Sequence, residues 1–522
     1  MSSATDLARQ IIRRLIEAGV SDFVISPGSR NAPLSIALYE AKSKGVIELH
    51  VKLDERGAAF YALGISKATN QGVAVICTSG TAAANFHPAL LEALHANNKL
   101  IAITADRPER LRKTGANQTT DQVGIFPSIT SFDLVSGSKF ELGSGPVHLN
   151  IQFDEPLLPK DNNDWLSGLK ISQGIAEKLN PKSLVVSGNG VLVIGHDLGT
   201  FSSAEVKDFA VRSGLPVIAE DPLIFPDAIA HASVFLNDES IRGYLKADFA
   251  IVIGRTTLSR SINSYVSSIT KSYVVDPRIS TIDTKRTATQ VFFELPKLEV
   301  DVLNQTWISD WREISRLASI EITQDERWSE QSALRTITNS LPNESALFVG
   351  SSRPIRDIEA FAKPRSGLTT FANRGLAGID GNLSTVFGIS NSFERSFAII
   401  GDLTFLHDLT ALLNPPNSNL TIFVIDNNGG GIFSTLPQAG VSGFDEIFGT
   451  PQNQDLTKLI SAFGIEVTKV KTSADINLAI SHNKPGLQFV IVEVPNRETM
   501  ASTLADTYSR VSKAVRIGLN LA

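Results

Sequence analysis

With a single cysteine, Cys77, among 522 residues, the chain cannot form an intramolecular disulfide. Long runs of lysine or arginine are also missing and the formal net charge is −6. That removes the electrostatic footprint of a nucleic-acid binder, so any anionic ligand must be held by local clusters. No apolar stretch reaches the roughly 20 residues that a bilayer-crossing helix needs. The longest candidates, Ser396 to Ile400 and Leu420 to Ile425, have the length of strands, which speaks against membrane insertion. The opening MSSATDLARQIIRRLIEAG is a polar start followed by an amphipathic pattern; with the lone cysteine it points to the cytoplasm. A hydrophobic content of 42% over this length is too much for one core and predicts about three domains.

What is present alternates regularly. Leu7, Ile11, Leu15 and Ile16 make a helical stripe that Gly19 can end, and Phe23 to Ile25 begin a buried strand. The pattern continues with Glu48 to Leu53 as strand, Gly57 to Lys67 as helix, Val73 to Cys77 as strand, Ala82 to Leu94 as helix and Leu100 to Thr104 as strand. Short apolar strands separated by helices imply parallel sheets covered on both faces, with ligands collecting beyond the carboxyl ends of the strands. After the Pro- and Asp-rich stretch Asp154 to Asn163, a second unit has strands at Gly190 to Ile194, Pro216 to Ala219, Phe249 to Ile253 and Tyr273 to Val275. None of these strands is followed by G-x-G-x-x-G, so the unit reads as Rossmann-like without a dinucleotide. The polar segment Gln324 to Gln331 leads to a third unit with strands at Ala346 to Val349, Phe397 to Ile400, Leu420 to Ile425 and Gln488 to Val492. The expectation is an α/β protein of three doubly wound parallel-sheet domains, 1–160, 175–320 and 330–522. Gly80 to Asp106 and Gly401 to Asn427 are both separations of 26 residues. This suggests that the first and third units are distant copies.

The most specific signal is Gly401-Asp402-Leu403-Thr404, then 22 residues, then Asn427-Asn428-Gly429-Gly430-Gly431. Asp402 and Asn427 end neighbouring strands, and the glycines free a backbone carbonyl to turn inward. A carboxylate, an amide oxygen and a carbonyl are hard ligands suited to octahedral Mg²⁺, which normally completes its shell with phosphate oxygens and water. The N–H groups near Leu403 and Thr404 would then meet a diphosphate. Either residue alone would read as a helix cap or turn. Arginines gather in the ligand-facing loops: Arg30 in SPGSRNAPL, Arg107 in TADRPE, Arg353 and Arg356 in GSSRPIRD, and Arg374 in FANRGLAGIDG. Planar forks of this kind in an acidic protein predict substrates carrying more than one carboxylate.

The Gly-Asp and Asn-Asn pair resembles the binding signature of thiamine-diphosphate enzymes, with Leu403 where the signature usually has glycine. That resemblance implies the thiamine-diphosphate-binding fold, with Asp402, Asn427 and the carbonyl of Gly429 as ligands of Mg²⁺ or Mn²⁺. It also makes Glu55, in LDERGAAF, the carboxylate that favours the imino tautomer of the cofactor; on its own it would read as a helix-start residue stabilised by the dipole. Taken together, SPGSRNAPL, LDERGAAF, TSGTAAAN, TADRPERLRKTGANQT, FANRGLAGIDG, GDLTFLHDL and DNNGGGIFSTLP resemble the 2-succinyl-5-enolpyruvyl-6-hydroxy-3-cyclohexene-1-carboxylate synthase family of the menaquinone pathway. The resemblance runs through the first and third units.

It implies decarboxylation of 2-oxoglutarate on thiamine diphosphate and 1,4-addition of the succinyl unit to isochorismate, both dicarboxylates. Ser29, Arg30, Arg107, Asn117 and Gln118 would form one substrate-facing wall; Ser352, Arg356 and Arg374 would form the opposing one. Ile379 would wedge the cofactor, Ile432, Phe433 and Leu436 would line the pocket, and Gly401 and Gly430 would adjoin the cofactor. Arg260 would stand where the family usually has a lysine in the middle domain. A homodimer or homotetramer with sites between chains is implied as well. The alternatives are another thiamine-dependent 2-oxo-acid decarboxylase or carboligase, disfavoured by the arginine set, and a non-catalytic protein that keeps the fold, disfavoured by Glu55, Asp402 and Asn427.

Overall fold

The computed structural model describes residues 3–161, 163–171, 181–278, 287–482 and 484–521. Strand pairing throughout these residues is parallel, as the run of βα alternation requires. The first sheet contains β1 (Asp22–Ile25), β2 (Glu48–Val51), β3 (Val73–Cys77), β4 (Leu100–Asp106), β5 (Thr130–Leu134) and β6 (Val147–Gln152). Their order is β2-β1-β3-β4-β6-β5. The middle of the chain contributes β7 (Ser183–Val186), β8 (Gly190–Ile194), β9 (Val217–Ala219), β10 (Phe249–Ile253), β11 (Lys271–Val275), β12 (Gln290–Phe292) and β13 (Lys297–Val300). These form a five-stranded sheet, β12-β11-β10-β8-β9, and a two-stranded one, β13-β7. The last sheet contains β14 (Ser345–Val349), β15 (Leu368–Phe371), β16 (Ser396–Gly401), β17 (Leu420–Asp426), β18 (Glu466–Val470) and β19 (Leu487–Glu493), in the order β15-β14-β16-β17-β19-β18.

By contact density the chain divides into two compact units. One comprises Met1–Glu177, Asn373–Glu394 and Thr404–Ser418; the other comprises Lys178–Ala372, Arg395–Leu403 and Asn419–Ala522. The first holds the first sheet, and the second holds the middle and last sheets. The expected boundary at residue 175 lies outside the described residues.

The central strands are apolar and buried along their whole length, which is why they read as continuous hydrophobic runs: β3, β8, β10 and β14 show no exposed position. Two local expectations shift. The run read as strand to Leu53 leaves the sheet after Val51, because Asp54 must turn to cap the helix Glu55–Thr69. The helix expected over Ala82 to Leu94 is two helices, Thr81–Ala84 and His87–Ala96. Pro88 explains the break: it has no N–H to continue the first helix and sits instead in the first turn of the second. Among the described residues, no helix is long and apolar enough to cross a membrane.

Candidate active-site residues

In the second unit, β16 and β17 are neighbours with Gly401 opposite Ile425, so Asp402 and Asn427 emerge side by side at the carboxyl edge. Both are buried. Asp402 Oδ2 accepts the Gly429 N–H at 2.8 Å, and its Oδ1 accepts the Leu403 N–H at 2.8 Å. The second bond means that the Leu403 amide, expected to face a diphosphate, is already engaged. Burial pushes the Asp402 carboxyl up to about 7, helped by the charges of Asp426 and Glu330 and opposed by the two N–H bonds. Burial also raises the Asp426 carboxyl.

Asn427 Nδ2 donates to Glu330 Oε1, while its buried Oδ1 has no hydrogen-bond partner among the described residues. A buried acceptor left without a donor is costly unless something else meets it. Beside a carboxylate whose charge is penalised by burial, a cation is one group that could meet it. An amide oxygen, a carboxylate and nearby loop carbonyls form an oxygen donor set that fits a hard divalent ion.

The glycines are there because backbone passes close by. Gly429, at φ +136°, would bring a Cβ within 2.2 Å of the Gly449 carbonyl oxygen, and a Cβ on Gly431 would lie 2.5 Å from Asn427 Nδ2. Gly430 N–H donates to Gly449 O at 2.7 Å, tying the segment to the helical turn Asp445–Gly449 that carries Phe448. Phe433 packs on Phe448 with ring centroids 5.5 Å apart.

Arg260, Arg353, Arg356, Ile432, Leu436 and Tyr508 line one cavity of about 410 Å³ in this unit. The resemblance assigns Arg260, Arg356 and the pair Ile432 and Leu436 to three different parts of the site, and the fold sets all four on this one cavity. Ser352 follows β14, takes φ +74°, and its carbonyl accepts from Arg356 Nη1 at 2.5 Å. In the same lining, Arg353 is ion-paired with Asp357 and lies 3.7 Å from Glu330. Desolvation, with the Glu330 charge adding to it, pushes the Asp357 carboxyl up to about 7, against the opposing charge of Arg353.

In the first unit, Glu55 is the first residue of its helix, but the capping is done by Asp54. The Asp54 carboxylate accepts the N–H groups of Arg56 at 3.0 Å and Gly57 at 3.4 Å, so the half-buried Glu55 side chain is not consumed as a cap. Its charge reaches Cys77 at the end of β3, adding to the burial that raises that thiol. Arg30, after β1, donates to the Phe153 carbonyl at 3.2 Å. Arg107, after β4, donates to Ser79 Oγ at 3.0 Å and to the Gln118 carbonyl at 2.8 Å. Desolvation and then the like charge of Arg30 lower the Arg107 guanidinium, so the two forks share a neighbourhood. Asn117 Oδ1 accepts from the Gln118 N–H at 3.1 Å, and Ser29 is exposed beside Arg30.

Arg374 is buried and Ile379 half-buried in the segment of this unit that Glu92 anchors, accepting the N–H groups of Gly375 at 2.8 Å and Leu376 at 2.7 Å. Thr404 is buried. Sequence reasoning missed Glu92 and Glu330. Neither stands in a motif, and only burial (3% exposed each) distinguishes them from ordinary surface glutamates.

Residues 5–125 match the model described as the thiamine pyrophosphate enzyme N-terminal TPP binding domain, and residues 159–349 match the middle domain of thiamine pyrophosphate. Parallel sheets with acidic and amide side chains at adjacent strand ends, together with these matches, define the class: a thiamine pyrophosphate enzyme. Proteins named 2-succinyl-5-enolpyruvyl-6-hydroxy-3-cyclohexene-1-carboxylate synthase are similar over nearly full length. The one from a Nocardioides species is 36% identical, covering 95% of this chain and 97% of the relative. That from Saccharopolyspora erythraea is 33% identical over 100% of both chains, and that from Thermobifida fusca is 34% identical over 99% and 100%. The chain belongs to the 2-succinyl-5-enolpyruvyl-6-hydroxy-3-cyclohexene-1-carboxylate synthase family.

Proposed function

We propose that the chain decarboxylates 2-oxoglutarate and adds the succinyl unit to isochorismate, giving 2-succinyl-5-enolpyruvyl-6-hydroxy-3-cyclohexene-1-carboxylate in menaquinone or phylloquinone biosynthesis in the cytoplasm. The observation that carries the reading is the buried Asp402 beside the unpartnered Asn427 Oδ1 at adjacent strand ends. Thiamine diphosphate, when bound, supplies the nucleophilic carbon and the sink for the electrons released with carbon dioxide. Asp402, Asn427 and the Gly429 carbonyl hold Mg²⁺ or Mn²⁺. Gly401, Leu403, Thr404, Gly430, Ile432 and Ile379 contact the cofactor, and the Glu55 carboxylate accepts a hydrogen bond from its aminopyrimidine ring. Ser29, Arg30, Arg107, Asn117 and Gln118 receive substrate carboxylates and hydroxyls, as do Arg260, Ser352, Arg356 and Arg374, while Phe433 and Leu436 exclude water. The like charge of Arg30, which adds to desolvation in lowering the Arg107 guanidinium, supports this role, since an anionic substrate would offset it.

On this reading residues 1–160 are the pyrimidine-binding domain, 175–320 the central domain and 330–522 the diphosphate- and metal-binding domain. The working form is a homodimer or homotetramer whose sites are shared between chains. Refolding Glu55→Gln chains together with Asp402→Ala chains tests the sharing: activity recovered in the mixture supports it, and none after verified subunit exchange overturns it. The function itself is tested by a mass-spectrometric assay on chelated, desalted protein given 2-oxoglutarate and isochorismate. Product formed only after thiamine diphosphate and a divalent ion are restored is the expected result. Release of succinic semialdehyde with no adduct would favour a plain decarboxylase instead.

A further inference from the structure

We propose that Glu330 is a positioning residue for the divalent ion, setting which end of the Asn427 amide faces it; this rests on the reading that Asp402 and Asn427 hold that ion. An asparagine side chain is nearly symmetric in shape but not in chemistry. One end is an oxygen able to ligate a cation, the other an NH₂ that cannot. Rotation by half a turn exchanges them, so a ligating asparagine needs an outside contact that breaks the tie. Glu330 supplies one. A carboxylate accepts hydrogen bonds and has none to donate, so the Asn427 NH₂ must be the end turned toward it, and the oxygen is thereby directed the other way. That oxygen is the atom left buried and without a hydrogen-bond partner.

Glu330 is itself held on several sides. It is the first residue of the helix Glu330–Ser340, where the N-terminal dipole favours a negative side chain. The turn is fixed by Ser329, whose hydroxyl accepts the Ser332 N–H at 3.1 Å. Just before it, Trp328 Nε1 donates to the Glu493 carbonyl at 2.9 Å, holding the incoming chain to the last sheet. The second carboxylate oxygen lies 3.7 Å from Arg353 Nε, and Arg353 also pairs with Asp357. Glu330 is only 3% exposed, so water does not compete for its contact with Asn427. Partners behind a metal ligand typically change affinity by about 10–100-fold when removed, because they fix the ligand's orientation.

The test is titration of chelated protein, in the presence of thiamine diphosphate, with Mn²⁺ followed by electron paramagnetic resonance. Glu330→Met fills similar volume without an acceptor, and Glu330→Asp keeps an acceptor-only carboxylate on a shorter arm. Glu330→Met is expected to weaken Mn²⁺ binding by about 10–100-fold, and Glu330→Asp to weaken it less. In an Asn427→Asp background, where both ends of the ligating side chain are oxygens and no end needs choosing, Glu330→Met is expected to cost little further affinity. Thermal unfolding of the metal-free proteins by circular dichroism checks that each variant folds, and Glu330→Asp, the smaller change, still decides the question if Glu330→Met does not fold: affinity equal to the parent's supports an orienting carboxylate, and a loss of about 100-fold or more counts against it. A loss from Glu330→Met as large in the Asn427→Asp background as in the parent would mean that charge and not orientation matters. Unaltered affinity in Glu330→Met would overturn the proposal as well. Asp402→Ala separates the two levels: if it binds Mn²⁺ as tightly as the parent, the metal site itself is misassigned and the inference about Glu330 falls with it.

Discussion

The first and last six-stranded sheets have the same strand order, yet the loops at corresponding strand ends carry opposite chemistry. In the first, β1 leads to Arg30, β3 to Ser79 and Gly80, and β4 to Asp106 and Arg107. In the last, β14 leads to Ser352 and Arg353, β16 to Asp402, and β17 to Asp426 and Asn427. Topology decides where ligand-facing loops fall, at the carboxyl ends near the point where strand order reverses. It does not decide what they bind. Around β3 and β4 of the first sheet the acid Asp106 is spent inward, paired with Arg112 at 2.9 Å and bonded to Asn150 at 3.0 Å, while Arg107, the next residue, bonds Ser79 Oγ and the Gln118 carbonyl. Around β16 and β17 of the last sheet the acid Asp402 itself opens the helix that follows the strand, and Arg353, after β14, is taken up by Glu330 and Asp357.

The sharpest way to break the comparison is to remove the acid from the last sheet. Asp402→Ala is expected to lower kcat/KM on the order of 1,000-fold and to abolish any rescue by added divalent ion; activity restored by millimolar Mg²⁺ would deny Asp402 its role. Next in size is the effect of crowding the two glycine turns. Gly429→Ala meets a carbonyl oxygen at 2.2 Å and should cost about 3 kcal/mol or more, whereas Gly80→Ala, with its nearest neighbour at 3.5 Å, should cost about 1–2 kcal/mol for the positive φ alone. Urea unfolding of both variants measures the gap, and equal losses would show that the segment around Gly449 yields freely.

On the basic side, Arg107→Ala is expected to reduce kcat/KM by tens- to a hundredfold, roughly 2–3 kcal/mol for one charge-assisted contact. Kinetics within twofold of the parent would remove Arg107 from substrate binding. The smallest effect is in pH dependence, where the two sheets should pull in opposite directions. His148, buried in β6 and bonded to Thr104 at 2.8 Å and Ser131 at 3.1 Å, is lowered to about 4 by burial, against the charge of Asp133. Its contribution to stability is complete above about 6.5 and is lost as pH falls through about 4. Asp402, raised to about 7, contributes most below about 4 and loses that contribution as pH rises through about 7. Melting curves of cation-free protein should therefore flatten on the acid side in His148→Gln and on the neutral side in Asp402→Asn; slopes unchanged by either substitution would dismiss these assignments.

These same two residues mark what sequence reading reaches. Asp402 was legible because it ends an unbroken apolar run, Ser396 to Ile400, and is echoed by Asn427 at the end of the next. His148 and Asn150 had the reverse effect. They interrupt the pattern of β6 although both are fully buried, because their polar atoms are satisfied by Thr104, Ser131, Asp106 and Asp133 across the sheet. Hydropathy cannot distinguish a satisfied buried polar group from a solvated one, so that strand stays hidden until the fold supplies its partners. Glu330 was unreadable for a related reason. It sits in the polar stretch that reads as a connection, and its importance lies wholly in meeting Asn427, 97 positions away. The arginines of the loops were legible individually. That Arg260 and Arg356 border one cavity depends on folding the middle and last sheets into the same unit.

The contact between Gly429 and Gly449 also bears on how the gene can be altered. Because one residue's missing side chain is occupied by the other's carbonyl, and Arg497 closes the arrangement by pairing with Asp445, segments 427–431 and 445–449 form a single unit of exchange. A chimera that takes one of them from a protein with any residue other than glycine at 429 sets a side chain against that backbone atom, which no rotamer can absorb. Recombination breakpoints in shuffled libraries should accordingly survive before 427 or after 449 far more often than between them.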